Sequence, residues 1–341
     1  MKDVTVVGAG PIGLAIAWRC AARGMAVEVV DDGLRGAWHA SAGMLGPVAE
    51  AYFGEAQLTA LLVESAKRWP AFAAELGAEE IGYRAEGTLV VALTGDDLAE
   101  AERLRVYQTG LGLPITPLRP TELRDREPLL SPRVRGGAHA PDDHQVNPRR
   151  LVPALRTAAT AAGASLVREA GPARVKVVAA GTGSAALTGL PVRPVKGQIL
   201  RLRAPGHQPP GFSRVIRGYA DGRHIYLVPR LDGEVVVGAT VEERADAHVT
   251  AGGVVELLRA AADLVPEIYE YELAEAIAGH RPGTPDNAPL IGPLGDGVIV
   301  ATGHHRHGIV LTPLTADLVA DLVETGEPDP MLGPFAPGRF A

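Results

Sequence analysis

Cysteine is almost missing from this chain. Cys20 stands alone among 341 residues, so no disulfide forms within the chain and nothing marks an oxidising compartment. Aromatic residues are scarce at 4%, which removes the stacking platforms that single-stranded nucleic acid needs. Basic charge is in deficit: 33 Lys and Arg stand against 40 Asp and Glu, for a formal net charge of -7. A surface that tracks phosphate needs the opposite balance. No stretch approaches the roughly 18 uncharged apolar residues of a spanning helix. Met1 leads almost directly into a strand, without the basic and apolar regions of a signal peptide. These absences predict a cytoplasmic protein with neither a nucleic-acid nor a membrane partner. The apolar fraction of 46% is ordinary for a globular protein, and the length suits about two domains.

The pattern along the chain predicts α/β segments interrupted by antiparallel ones. Residues 3–7 read as a buried strand, 11–23 as a helix and 26–30 as a second strand, which together make one βαβ unit. A helix is expected at 58–76, a strand at 87–94, and a helix at 96–107 opened by two acids at its positive end. The stretch 113–149, rich in Pro, Gly and charge, reads as crossing loops. A helix at 151–162 and a strand at 175–180 follow. Residues 197–203, 224–229 and 234–241 read as an antiparallel meander. A helix at 252–264, a strand at 297–302 and a helix at 312–324 complete the chain.

Gly8, Gly10 and Gly13 carry the G-x-G-x-x-G spacing between the first strand and its helix, with Pro11 and Ile12 inside it. The first glycine makes the tight turn, the second admits pyrophosphate, and the third lets helix and strand close up. The helix N-terminus then offers free N–H groups to a diphosphate. Asp31, at the end of the second strand and followed by Asp32, stands where an acid accepts ribose hydroxyls. This pattern names a dinucleotide without choosing between NAD and FAD.

Six blocks narrow that choice. They are the glycine turn, with Ala17, Gly24 and Arg35-Gly36 around it; Ala42-Gly43-Met44-Leu45-Gly46; Pro194-Val195-Lys196-Gly197-Gln198; Tyr226-Leu227-Val228-Pro229-Arg230 with Val237-Gly238-Ala239-Thr240; Arg281-Pro282-Gly283-Thr284-Pro285-Asp286-Asn287; and Ala301-Thr302-Gly303-His304-His305-Arg306-His307-Gly308. Together, from about residue 3 to 325, the chain resembles the D-amino acid oxidase and sarcosine oxidase family of FAD-dependent oxidoreductases, in its glycine-oxidising branch. The resemblance implies a Rossmann-like FAD domain (1–80, 142–192, 277–341) with an interleaved antiparallel substrate domain (81–141, 193–276). It also implies oxidative deamination of glycine, and of sarcosine or small D-amino acids, with O2 reduced to peroxide. The imine would serve thiazole formation in thiamine synthesis, and the oligomer would be a tetramer. The rival readings are a D-amino acid dehydrogenase, a sarcosine oxidase-like enzyme, and a flavin-binding protein without catalysis.

Residue by residue, the resemblance gives Arg281 the substrate carboxylate, joined by the Tyr226 hydroxyl, with His224 lining the pocket and Arg306 on the substrate side of the flavin. Around the cofactor it places Ala37, Trp38, Ala42, Gly43, Met44, Val146, Gly181, Gly303, His304, His305, His307, Gly308, Ile309 and Val310. Met44, Gly46 and Ala49 fall at the pocket wall, and Val241 where a Met is common, which predicts a trimmed wall. There are three departures. The segment 166–179 is short. Trp38-His39 stands where small hydroxyl residues are usual. His305 and His307 flank Arg306 where an aromatic and an Asn are familiar. His39 lies one residue out of step with the histidine that carries flavin covalently in some relatives, so FAD is expected to be non-covalent. The histidine cluster at 304–307 matches no zinc spacing, and no metal is expected.

Overall fold

The computed structural model describes residues 1–207 and 209–340. Its first strands are β1 (Lys2–Val7), β2 (Val27–Val30), β3 (Met44–Leu45), β4 (Thr88–Ala92), β5 (Thr116–Leu118), β6 (Gly136–Ala140), β7 (His144–Gln145) and β8 (Ser165–Val167). There follow β9 (Ala173–Val178), β10 (Arg193–Arg203), β11 (Val215–Ala220), β12 (Arg223–Pro229), β13 (Glu234–Gly238), β14 (Glu272–Gly283), β15 (Leu290–Gly295) and β16 (Val298–Thr302). The helices are α1 (Pro11–Ala22), α2 (Ala56–Leu76), α3 (Gly95–Gly110), α4 (Pro120–Arg126), α5 (Pro148–Ala161), α6 (Ser184–Thr188), α7 (Ala251–Leu264) and α8 (Thr312–Thr325).

Among the described residues these strands form two large sheets. The first has the order β15-β16-β9-β1-β2-β8, parallel except for the edge pair β15–β16. Its strands are Val-rich because helices cover both faces. Val4, Val6, Val27 and Val29 pack with Leu14 and Ile16 of α1, and with Trp69 and Phe72 of α2. Trp69 donates its indole N–H to the Val310 carbonyl at 2.9 Å, fastening α2 to the entry of α8. Residues 168–172 join β8 to β9 directly, as the short segment there predicts.

The second sheet has the order β14-β10-β13-β12-β11-β4-β6-β5. One face is closed by α7, whose Leu257, Ala261 and Leu264 meet Leu200, Leu202, Ile216, Leu227, Val235 and Val237. Period two then turns Ile199, Tyr226, Val228 and Val236 to the opposite face, against Ala40, Ala42 and Met44. That face, between the two sheets, holds the site. The paired acids expected to open the third helix are there as Asp96 and Asp97, with Thr94 and Asp97 in a reciprocal capping box. Asp97 also accepts the N–H groups of Asp221 and Gly222, both at 2.9 Å, so the cap ties α3 to the β11–β12 turn.

Two sequence expectations change. The stretch 113–149 is not loop: it holds β5, α4, β6, β7 and the start of α5. Nor is the second sheet a simple meander. It gains β11 and β14, and β4 joins β11 in parallel. β14 stays paired to β10 from Glu272 through Gly283.

Candidate active site

At the carboxyl ends of the parallel strands the backbone is drawn into a cradle, the place where open α/β sheets bind ligands. Gly8 leaves β1 at φ +116, and a Cβ there would collide with the Ala179 carbonyl at the end of β9. A Cβ on Gly13 would collide with the Gly8 carbonyl. These two close approaches seat the first turn of α1 on the sheet. Gly10 caps α1 without a side-chain bond, Pro11 opens it, and no acid sits in its first turn. Beside it Ile12 is buried. The free N–H groups and positive helix end therefore fit a diphosphate. At the end of β2, Asp31 accepts the Gly33 N–H at 2.9 Å and pairs with Arg156 at 2.8 Å. Burial pushes its carboxyl upward, and these two donors more than offset that, so it is held ionised below its usual range. Asp32 instead accepts the Leu34 N–H at 2.8 Å and closes the turn. Gly181 and Gly303 follow β9 and β16, so they stand along the same edge, and Thr302 donates to the Gly181 carbonyl at 3.1 Å.

A strap from 37 to 46 crosses this edge. Ala37–Ala40 form one 3-10 turn, and a Cβ added to Gly10 would stand 4.0 Å from Trp38 Cδ1. Gly43, at φ +76, lies backbone to backbone with Val146, whose N–H donates to the Gly43 carbonyl at 2.9 Å. Ala42 is buried beneath Arg230, which donates to its carbonyl and, at 2.6 Å, to Gln145. His39 places Nε2 3.1 Å from the Arg35 guanidinium. Burial, with Arg149 and Arg35 nearby, pushes its pKa down to about 4.

On the facing sheet, β14 carries Arg281 opposite Val195. The Arg281 guanidinium lies over Gly197, where a Cβ would come within 2.5–2.7 Å of it. It donates to the carbonyls of Thr240 at 3.3 Å and Lys196 at 3.5 Å. Among the described residues no acid lies within ion-pair distance of it. Tyr226, opposite Gly238 and Arg217 on its neighbouring strands, points its hydroxyl to the same face. Burial raises its pKa, partly countered by Arg281, so the phenol stays a proton donor. A partly buried guanidinium without a counter-ion, beside a half-buried phenol, is a receptor for a carboxylate.

The loop after β16 supplies the last wall. His304 is buried with Nε2 3.3 Å from the Thr315 hydroxyl, and burial pushes its pKa down to about 3. His305 is pushed to about 4 by burial, then by Arg281 and Arg306. His307 is pushed to about 3 by burial, and its Nε2 accepts from Arg306 at 3.3 Å. The histidines thus face three different surroundings. The Gly308 carbonyl accepts the Thr312 hydroxyl at 2.8 Å; Ile309 and Val310 are buried, and the Val310 carbonyl accepts from Ser65 at 2.6 Å.

Three expectations need correction. His224 shares a face with Tyr226 but lies two residues nearer the strand end, where its side chain is 62% exposed, 3.4 Å from Glu100 and edge-on to the Tyr219 ring. It leaves the pocket. Arg306 does not reach freely toward substrate: it pairs with Glu50 at 2.8 Å and Glu55 at 3.9 Å. Val241 is 72% exposed and trims no wall, and Gly46 packs on the Asp143 carboxylate rather than on a pocket.

The structure adds Glu50 and Arg217, which no sequence block marked. Their ion pair joins the segment that follows the strap to β11. Burial pushes the Glu50 carboxyl upward, and Arg217 and Arg306 more than offset this, holding it well below the usual carboxylate range. Lys196, the centre of a diagnostic block, is fully buried and holds Asp246 at 2.8 Å on the far side of the sheet; its role is to brace the 240–246 segment. Glu50 follows Ala42–Gly46 closely, which was the available clue. Arg217 lies on a strand the pattern did not reveal.

Comparison with known proteins agrees with this geometry. The family profile described as FAD dependent oxidoreductase (DAO) matches residues 3–322. A glycine oxidase of Geobacillus kaustophilus is 35% identical, over 98% of this chain and 96% of that one. The bifunctional protein ThiO/ThiG of Trichormus variabilis is 33% identical over 99% of this chain, which spans 55%, about half, of that relative. The crystal structure of the Geobacillus enzyme superposes with a TM-score of 0.89 at 34% identity, covering 99% of this chain and 98% of that one. No helix among the described residues is long and apolar enough to cross a membrane. With its glycine cradle, its capless helix end and its ionised Asp31, the chain is an FAD-dependent enzyme and belongs to the DAO family of FAD dependent oxidoreductases.

Proposed function

We propose that the chain is a glycine oxidase: glycine, water and O2 give glyoxylate, ammonia and hydrogen peroxide. The observation that carries this reading is Arg281, a cation without an anion beside the Tyr226 hydroxyl, on the face turned toward the cofactor edge. Arg281 holds the substrate carboxylate as a fork, and Tyr226 donates to the same group. The Thr240 and Lys196 carbonyls fix the fork's direction, so the Cα is presented in one orientation. Gly8, Gly10, Pro11, Ile12, Gly13 and Asp31 hold the dinucleotide end of FAD, and the strap 37–46 with Val146, Gly181 and the 303–310 loop encloses the rest. When bound, FAD supplies the two-electron sink that takes hydride from Cα and passes the pair to O2. His304, His305 and His307 stay neutral, so the cations around the site are Arg281 and the two arginines paired with Glu50, Arg217 and Arg306. Water then hydrolyses the imine outside the clamp.

The reading extends to a cytoplasmic enzyme with non-covalent FAD, working as a homo-oligomer and supplying the imine to a thiazole-forming partner, as the names of the bifunctional relatives suggest. The lobes are proposed to be 1–80, 142–192 and 277–341 against 81–141 and 193–276, with β14 crossing this boundary while it stays paired to β10 through Gly283. The test is to measure peroxide and glyoxylate with glycine, sarcosine, D-alanine and D-proline in air. Equimolar peroxide and glyoxylate from glycine support the reading. Turnover only with a quinone acceptor would give the site to a dehydrogenase.

A further inference from the structure

Glu50 lies just beyond the 37–46 strap, and the two oxygens of its carboxylate are used differently. Oε1 is bound by Arg217 of β11. Oε2 lies 2.8 Å from Arg306 Nε but outside hydrogen-bond alignment, and among the described residues it is a buried acceptor without a donor. A buried acceptor of this kind is costly unless something donates to it. The surroundings also fix its charge. Arg217 and Arg306 hold the carboxyl ionised, and it acts on the Tyr226 hydroxyl and on His305, the same groups that feel Arg281. Glu50 is paired with Arg217, which stands opposite Tyr226 across β11 and β12, and with Arg306 of the loop, so it borders the space between the carboxylate clamp and the 303–310 loop.

We propose that Glu50 is a substrate-binding and specificity-determining residue: its Oε2, ion-paired with Arg306 but accepting no hydrogen bond, accepts the N–H of the substrate amine while Arg281 holds the carboxylate. This inference rests on the amine-oxidase reading of the site. The amine lone pair stays free to form the C=N bond as hydride leaves Cα for the bound flavin. Nitrogen then becomes an iminium cation, and an anion already in place stabilises that developing charge. The iminium proton passes to water. Arg217, which touches no substrate, is a positioning residue that aims Oε2 by holding Oε1. A carboxylate ligand without an amine, such as acetate, has no use for this contact.

The experiment compares two ligands in the FAD-loaded full chain. Acetate affinity is read from the flavin spectrum, and glycine affinity from the concentration dependence of anaerobic flavin reduction. Glu50→Gln should weaken glycine by roughly 10- to 100-fold, the weight of one hydrogen bond to a charged group. Acetate should bind as well or better, because the site becomes more positive. Glu50→Asp, which keeps the charge and shortens the reach, should show the same split. Equal weakening of both ligands, no change in glycine, or loss of FAD from both variants would overturn the proposal, since the carboxylate would then only brace two arginines. Wild-type protein that binds acetate but is not reduced by glycine or any small amine would instead refute the amine-oxidase reading itself.

Discussion

Replacing Arg281 with methionine keeps an unbranched apolar stem and removes a cation that, among the described residues, has no acid within ion-pair distance. Its existing contacts are long: 3.3 Å to the Thr240 carbonyl and 3.5 Å to the Lys196 carbonyl. Their loss should cost the fold no more than about 1 kcal/mol. The substrate carboxylate, by contrast, loses a fork of two charge-assisted hydrogen bonds, each worth about 1.5–3 kcal/mol. The expected loss is about 3–5 kcal/mol, or roughly two to three and a half orders of magnitude in kcat/KM at 1.36 kcal/mol per decade. It should appear in KM and in acetate affinity, with the FAD spectrum and melting temperature near wild type. Gly197→Ala is the companion variant. Its new Cβ would come 2.5 Å from Arg281 Nη1, so it should displace the guanidinium without removing charge and raise KM in the same direction. Spectral titration with acetate and steady-state kinetics with glycine decide the matter. Arg281→Met binding acetate within about threefold of wild type, less than 0.7 kcal/mol, would refute the clamp.

Gly13→Ala should abolish FAD binding, because its Cβ collides with the Gly8 carbonyl; yellow colour retained through gel filtration would contradict the cradle. His304 and His307 have folded pKa values of about 3 against 6.5, so the unfolded chain takes up their protons first. Stability is therefore full above pH 6.5 and falls toward pH 3, by about 1.4 kcal/mol per unit for each histidine. Denaturant unfolding at pH 7.5 and 5.5 should show this slope, reduced in His304→Gln. Val241→Met, at a largely exposed position, should shift the ratio of glycine to sarcosine turnover by no more than about twofold; a larger shift would return this residue to the pocket wall.

The parts of the fold that could be read from sequence are those whose cause is local. The β1–α1–β2 unit announces itself because a Val-rich strand, a glycine turn and an Ala-rich helix are all contiguous. The long amphipathic α2 is equally plain, even with Pro70 inside it. By contrast β6 reads Gly-Gly-Ala-His-Ala and β14 is largely polar at its start. Such strands exist because neighbours pair with them, and that pairing is set by residues far away in the chain. The site divides in the same way. Gly8, Asp31, Tyr226 and Arg281 sit in blocks with a recognisable pattern, whereas the Glu50–Arg217 pair joins positions 167 residues apart. His224 shows the limit of periodicity: alternation gives the face of a strand, not how far along it the pocket extends.

If Arg281, Tyr226 and the FAD cradle together oxidise a small amino acid, glycine added without air to the oxidised, FAD-loaded protein bleaches the flavin's visible absorption. The absorption then returns on aeration, with peroxide equal to the glyoxylate formed. An unchanged spectrum with glycine, sarcosine, D-alanine and D-proline would contradict it.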